Sequence, residues 1–394
     1  MKVLGAKDTP SLPDKKAPGG EHPPIPFQDL VAQHASLEVQ LKDALNRVLA
    51  SGRYIANESE GEVFSFEREI EQALNVKHAI AMSSGTDALL AMLMALDVGP
   101  GDEVVTTPFS FVASADVIAR LGARPRFVDI DRATLNIDAT RVAAAIGPRT
   151  KAVLAVHLFG RAADGPALRA LCDSRGIPLL EDAAQAIAAV DRDGRSVGNI
   201  GHAAALSFFP SKNLGALGDA GMVLTGDQEF AGRLRQLRTH GSTVRFHHDR
   251  IGGNFRMDEL QAAVLREKLP HLATWTAARR ERARHYLQRL QGLPLILPAD
   301  EPGMVWNQFV VRVQRSERPL LVQALAQLKI ATAIYYPKPL HQQPCFSNLG
   351  HSAGAFPEAE RATDDVLALP LYPELSLAQV ERICSAIHAF YARS

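Results

Sequence analysis

From His78 onward, short β-type runs alternate with helical ones, and nothing else in the chain constrains the fold as tightly. The runs are HAIAM at 78–82, DEVVTT at 102–107, RPRFVDI at 124–130, KAVLAVHL at 151–158 and IPLLEDA at 177–183. Two apolar runs follow, Ala203 to Phe209 and Met222 to Thr225. Helical spacing fills the gaps at Asp87 to Leu96, Ala113 to Leu121 and Pro166 to Ser174. Alternation of this kind predicts an α/β fold, a mostly parallel sheet covered on both faces by helices. Upstream, the apolar residues Leu30, Leu37, Leu41, Leu45, Val48 and Leu49 predict one helix ended at Ser51-Gly52, and a second runs from Glu62 to Leu74. Downstream, helical patterns at Asp258 to Lys268 and Ala277 to Leu290 lead into a smaller α/β segment from about Leu293.

This divides the 394 residues into a large domain at 25–270 and a small one at 271–394. Residues 1–24 carry Pro10, Pro13, Pro18, Gly19, Gly20, Pro23 and Pro24 among charged residues, a poor core-former expected to be a mobile extension. Lys plus Arg equals Asp plus Glu at 43 each, so no global basic surface argues for nucleic acid. Cys172, Cys345 and Cys384 are widely spaced with no CxxC pair, which fits a reducing compartment and offers no thiolate metal site. The histidines, including His157 and His247-His248, show no HExxH pattern, so no metal is expected. No apolar run reaches membrane-spanning length and no signal-peptide core opens the chain; the expectation is a soluble cytoplasmic protein.

Three constellations carry chemistry. Ser83-Ser84-Gly85-Thr86-Asp87 joins a strand to a helix. Free N–H groups and the positive end of the helix dipole suit a phosphate there, although ordinary capping by Ser or Thr accounts for the same residues. Neither a Walker loop nor GxGxxG is present. Glu181-Asp182-Ala183-Ala184-Gln185 ends an apolar strand, where ligands of open parallel sheets sit. Adjacent acids on a strand point to opposite faces, so one alone can serve a ligand, and Asp182 is the candidate, with Gln185 beside it. A helix N-cap aspartate is the competing reading. The third is Ser207 to Gly221, in which Lys212 stands between two buried-looking strands beside Gly215, Gly218 and Gly221. A lysine so placed is an unusual setting for a strongly hydrated cation. Together these are the parts that pyridoxal phosphate (PLP) requires: a Schiff-base lysine, an acid for the pyridine nitrogen and a phosphate cradle.

SSGTDALLAML, GPGDEVVTTPFSFVAS, VHLFGRAAD, EDAAQA, SFFPSKNLGALGDAG and GGNFRMDELQAAVL, in this order, resemble the DegT/StrS nucleotide-sugar aminotransferases from about Pro26 to the C-terminus. The resemblance implies a fold-type I PLP transferase with a seven-stranded sheet, working as a homodimer whose active sites lie at the subunit interface. Carried over residue by residue, Lys212 matches the Schiff-base lysine, Asp182 the pyridine-nitrogen partner and Gln185 the neighbour of the ring hydroxyl. Gly85, Thr86 and Ser207 match phosphate contacts, Phe111 the aromatic stacked on the ring, and Asn254 an asparagine reaching the phosphate from the neighbouring subunit. Arg256, and Tyr336 and His341 in ATAIYYPKPLHQQP, are expected to bind substrate. Two departures stand out. IANESEGE at 55–62 lacks the family's usual wording, and Gly253 replaces a larger residue, which implies a roomier local pocket. Some family members carry histidine at the lysine position and act as sugar 3-dehydratases; Lys212 points instead to transamination from glutamate or glutamine to a keto-sugar nucleotide, in wording nearest to members acting on 3-keto dTDP- or UDP-sugars. A non-catalytic regulator on the same fold is the remaining alternative.

Overall fold

The computed structural model describes residues 23–55, 59–244 and 246–393. Three helices come first, α1 (Leu30–Ala35), α2 (Glu38–Ser51) and α3 (Glu62–Leu74). Strands and helices then alternate: β1 (His78–Met82), α4 (Gly85–Ala95), β2 (Glu103–Thr106), α5 (Ala113–Arg120), β3 (Arg124–Phe127), α6 (Ala139–Ala145), β4 (Thr150–Val156), α7 (Gly165–Arg175) and β5 (Leu179–Asp182). Next are β6 (Ala203–Ser207), β7 (Gly221–Thr225), α8 (Gln228–Arg238), a short hairpin of β8 (Ser242–Val244) and β9 (His247–His248), and α9 (Glu259–Lys268). The chain closes with α10 (Leu272–Leu290), β10 (Phe309–Arg312), α11 (Arg318–Gln327), α12 (Pro357–Asp365), β11 (Val366–Leu369) and α13 (Leu377–Tyr391).

One helix was expected over Leu30 to Leu49; two are found, broken at Ser36-Leu37. The break turns Leu37 and Leu41 into the sheet-side core while His34, on α1, reaches Lys268. Both helices are separately capped, α1 by the Asp29 carboxylate at Ala32 N and α2 by left-handed Gly52. RPRFVDI and KAVLAVHL leave the sheet early, at Phe127 and Val156, because their carboxyl ends open into loops.

The sheet has seven strands in the order β1-β7-β6-β5-β4-β2-β3, as expected. All neighbours are parallel except β7, which runs antiparallel to β1 and β6. Strand alternation splits its side chains between two cores. Phe66, Ile70, Val153, Leu179, Leu206 and Phe208 fill one face. Ile80, Leu89, Leu154, Leu180 and Leu234 fill the face under α4, α5 and α8. A third core joins Tyr286, Trp306, Phe309, Leu367 and Ile383, and Ile25 crosses from the N-terminal end to complete it. Phe109, Phe127 and Val156 pack with Val310, Phe346 and Val366, tying this third core to the sheet.

Candidate active site

The antiparallel insertion of β7 decides where the chemistry collects. Its first residue, Gly221, pairs with Met82 of β1 on one side and Ser207 of β6 on the other. The carboxyl ends of β1 and β6 therefore lie level, with that of β5 next in the sheet. The three sequence constellations leave the sheet at these ends. Glycine is required twice for so close an approach: a Cβ on Gly221 would lie 2.3 Å from the Ser84 carbonyl oxygen, and one on Gly85 would lie 2.7 Å from the Ser207 Cβ.

A cavity of about 430 Å³ opens there, lined among others by Gly85, Thr86, Phe111, Asp182, Gln185, Ser207, Lys212 and Tyr336. At its floor, α4 presents its N-terminus. Ser84 caps the helix by accepting from Asp87 N at 3.0 Å, and both Ser83 and Ser84 donate their hydroxyls to the Asp87 carboxylate, at 2.6 and 3.1 Å. The capping role and the cradle thus coexist: Ser84 caps, while Gly85 and Thr86 face the cavity.

Asp182 and Glu181 separate as alternation requires. Asp182 lines the cavity on the α4–α5 side, where its Oδ2 accepts from Ser114 Oγ at 2.6 Å and its Oδ1 from Ala184 N at 3.2 Å. Ser114 is in turn 2.8 Å from Ser110 Oγ. Glu181 lies wholly buried on the other face, accepting from Gly201 N at 2.8 Å and meeting His157 Nε2 at 2.9 Å. Because His157 Nδ1 accepts from Ala163 N, its Nε2 carries the proton donated to Glu181. His157 and Glu181 therefore hold the loop behind the strand and take no part in the cavity.

Gln185 is fixed at both ends of its amide: Oε1 accepts from Phe159 N at 2.7 Å, and Nε2 donates to the Tyr336 hydroxyl at 3.1 Å. Lys212 lines the cavity from the β6–β7 loop, its N–H donating to Phe209 O at 2.8 Å. Burial brings its amine down to about 8, with the Asp182 carboxylate opposing part of that shift. The next residue, Asn213, anchors the lysine from behind by donating to Val305 O and accepting from Asn307 Nδ2, both at 2.9 Å.

Three expected site residues do not line this chain's cavity, one of them, Asn254, being expected to serve the neighbouring subunit. Asn254 is exposed on a bridge to Thr239, and neither it nor Arg256 lines this chain's cavity. His341 is buried in a short 3-10 turn, its Nε2 3.1 Å from a Glu360 carboxylate oxygen and its Nδ1 buried without a hydrogen-bond partner, and it does not line this cavity. The roomier pocket expected at Gly253 is absent, because the Phe255 ring fills that space to within 2.4 Å of where a Cβ would stand. The cavity also contains Tyr335, Phe209 and Gln308, and Asp182 leans on Ser114, none of which the sequence reading singled out. Tyr335 carried a signal as the neighbour of Tyr336, and Ser114 and Phe209 as members of the FSFVAS and SFFPSKN motifs; Gln308 carried none.

These residues fit PLP. A helix N-terminus with Thr86 and Ser207 suits a dianionic phosphate, a serine-held carboxylate suits a protonated pyridine nitrogen, and a lysine amine near 8 suits covalent attachment. The glycine contacts let the α4 N-terminus and Ser207 stand close enough to share one anion, where any side chain at Gly85 or Gly221 would push them apart.

Among known proteins, the DegT/DnrJ/EryC1/StrS aminotransferase family model matches residues 36–388. A Geobacillus stearothermophilus protein described as a pleiotropic regulatory protein is 43% identical over 93% of this chain and 98% of its own length. The UDP-N-acetyl-3-dehydro-alpha-D-glucosamine 3-aminotransferase of Acidithiobacillus ferrooxidans is 43% identical over 92% of this chain and 97% of its own. S. venezuelae DesV, solved by X-ray crystallography in complex with a ketimine intermediate, superposes with a TM-score of 0.91 at 41% identity, covering 95% of this chain and all of that one. The chain belongs to the DegT/DnrJ/EryC1/StrS aminotransferase family, whose cofactor is pyridoxal phosphate.

Proposed function

We propose that the chain transfers an amino group from glutamate or glutamine to the ketone of a nucleotide sugar, with the ketone at C3 and dTDP or UDP as the nucleotide. The observation that carries this reading is the meeting of Lys212, Asp182, Gln185 and the α4 N-terminus in one cavity. The substrate class leans on the Acidithiobacillus relative, whose name gives it a 3-dehydro UDP-sugar. Lys212 in the cavity speaks against a 3-dehydratase, and the complete set around it speaks against a purely regulatory role. The small domain at 271–394 is supported by its own core around Tyr286 and Ile383, although Ile25 of the preceding segment also enters it.

When bound, PLP supplies an electron sink for negative charge developing on the donor's α-carbon. Gly85, Thr86 and Ser207 would hold the phosphate, and Phe111, more than half exposed at the cavity rim, would offer its aromatic face to the ring. Asp182 keeps the pyridine nitrogen protonated, and Ser114 keeps Asp182 turned toward it. Gln185, both ends fixed, has one amide proton left for the ring hydroxyl. The Lys212 amine, once released, takes the α-proton onto its Nζ and returns it; an amine near 8 is suited to both directions near neutral pH.

Asn254 completes the phosphate cradle of a second subunit in a cytoplasmic homodimer. Its exposure outside its own cavity is what that arrangement requires. To test the function, the protein is incubated with glutamate and a panel of 3-keto and 4-keto dTDP- and UDP-sugars, and 2-oxoglutarate and amino-sugar are followed by mass spectrometry. Amine formation from a 3-keto sugar is expected. Turnover of 4-keto sugars alone would overturn the regiochemistry, and no amine from any of them would overturn the substrate class.

A further inference from the structure

Ile25, Phe27, Gln28 and His34 tie the segment Ile25–His34 to the small domain and to the active site, and none of these contacts is explained by the chemistry above. Ile25 pairs with the small-domain edge, its N–H donating to Lys329 O at 2.8 Å and its carbonyl accepting from Ala331 N at 3.0 Å. Two residues on, the Phe27 ring packs 5.9 Å from that of Tyr335, which lines the cavity. Gln28 Nε2 donates to Ser211 O at 2.9 Å, the carbonyl immediately before Lys212. His34, on α1, lies 3.2 Å from Lys268 Nζ, and that ammonium donates at 2.6 Å to Gly215 O, three residues after Lys212.

Lys268 makes this arrangement unusual. It is fully buried, and no carboxylate lies within ion-pair distance of it among the described residues. Burying an ammonium with no carboxylate in ion-pair contact, Glu374 offsetting only part of the desolvation from beyond that distance, is unfavourable by several kcal/mol, so a surface lysine with its stem packed would be the less costly choice. The charge is applied instead to one carbonyl of the loop that carries Lys212. That loop has little slack: Gly215 packs so closely on Pro210 that a Cβ would lie 2.3 Å from its carbonyl oxygen, and Ala216 N donates to Phe208 O at 2.8 Å. Its two flanking carbonyls, at Ser211 and Gly215, are each gripped from outside by a side-chain donor.

We propose that Gln28 and Lys268 are positioning residues for Lys212, and that the strap Ile25–His34 fixes the aim of its amine while joining it to the Tyr335 wall of the cavity. The inference rests on Lys212 being the lysine that carries the cofactor. Proton transfer at Nζ depends steeply on placement, and an error of about 1 Å can lower a rate by about a hundredfold. Loosening either grip therefore acts on turnover more than on binding.

The test uses holoenzyme with Q28E, which keeps the shape of the side chain but removes its donor, and K268M, which keeps its length but removes the ammonium. Each is expected to lower kcat by about tenfold (about 1.4 kcal/mol of barrier), with KM for the amino donor within about twofold, and to shift the pH midpoint of the cofactor's visible band. If K268M fails to fold, Q28E alone decides, since its partner is a half-buried loop carbonyl outside the hydrophobic cores. Wild-type kcat and an unmoved band midpoint in the folded variants, even with a lower Tm, would show the contacts to be structural only and overturn the proposal. Borohydride bleaching of the wild-type band with the label on a residue other than Lys212 would instead overturn the lysine assignment beneath it.

Discussion

Burial places the Lys212 amine at about 8, and Asp182 opposes part of the shift, so the working state of the lysine is a balance between desolvation and one carboxylate. Lys212→Ala should remove attachment and proton transfer together, lowering turnover by roughly a thousandfold or more while Tm stays near that of wild type; steady-state assays beside a thermal melt check this. Asp182→Asn should retain the cofactor but slow the donor half-reaction, on the order of a hundredfold, because an amide cannot stabilise the pyridinium as a carboxylate does. Stopped-flow mixing with glutamate measures it, and an unchanged rate would remove Asp182 from that role. Both residues were legible because each sits next to an unmistakable local pattern, a strand end or a glycine loop. The role of Ser114 was not: it reaches Asp182 across 68 residues of sequence, and only the fold brings the start of α5 to the carboxyl end of β5. Nor did the motif around His341 point to the Glu360 carboxylate oxygen that lies 3.1 Å from its Nε2.

Among elements, strands and helices were legible wherever periodicity met a clear stop, as at α3 and β1, whose bounds match the sequence expectation. The α1–α2 break was not, because Leu30 to Leu49 keeps helical spacing across Ser36; the turn answers to the lysine loop and the sheet core, which are distant in sequence. Lys268, at the end of α9, carries a pH signature. Burial lowers its folded value to about 8, with Glu374 opposing and the His34 ring alongside. Between about 8 and the ordinary lysine value the unfolded chain binds more protons than the folded one, so stability rises with pH through that window. Relative to K268M, wild-type unfolding free energy should therefore gain about 3 kcal/mol between pH 7.5 and 10.5, read from urea melts; a pH-independent difference would contradict the burial. A second element prediction concerns α12. Asp129, nearly fully buried, accepts from Glu358 N and Ala359 N at 3.0 and 2.9 Å and so caps α12 from the sheet side. Asp129→Ala leaves buried N–H groups unpaired and should destabilise by about 3 kcal/mol, again measured in urea.

For the whole molecule, the boundaries of the extension and the sharing of sites matter most. The expected mobile extension, 1–24, falls largely outside the described residues; attachment is visible from Pro23, whose carbonyl accepts from Arg382. Deleting residues 2–22 should leave Tm and activity unchanged, whereas deleting 2–28 removes Ile25 and Gln28 and should depress both. The proposed site sharing rests on resemblance, because no local pattern in GGNFRMD announces that Asn254 stands exposed outside its own chain's cavity. Asn254→Asp and Lys212→Ala should each be inactive, yet dimers refolded from an equal mixture should recover roughly a quarter of wild-type activity, since about half are hybrids with one intact site. No recovery from confirmed hybrids would put Asn254 beside its own Lys212. The central claim, that Lys212 is the residue on which the cofactor is carried, is tested most directly by reducing the PLP-loaded protein with borohydride and mapping its peptides by mass. The account predicts the pyridoxyl label on the peptide containing Lys212 and a colourless, inactive product; a label on Lys268 or any other lysine, or none at all, would contradict it.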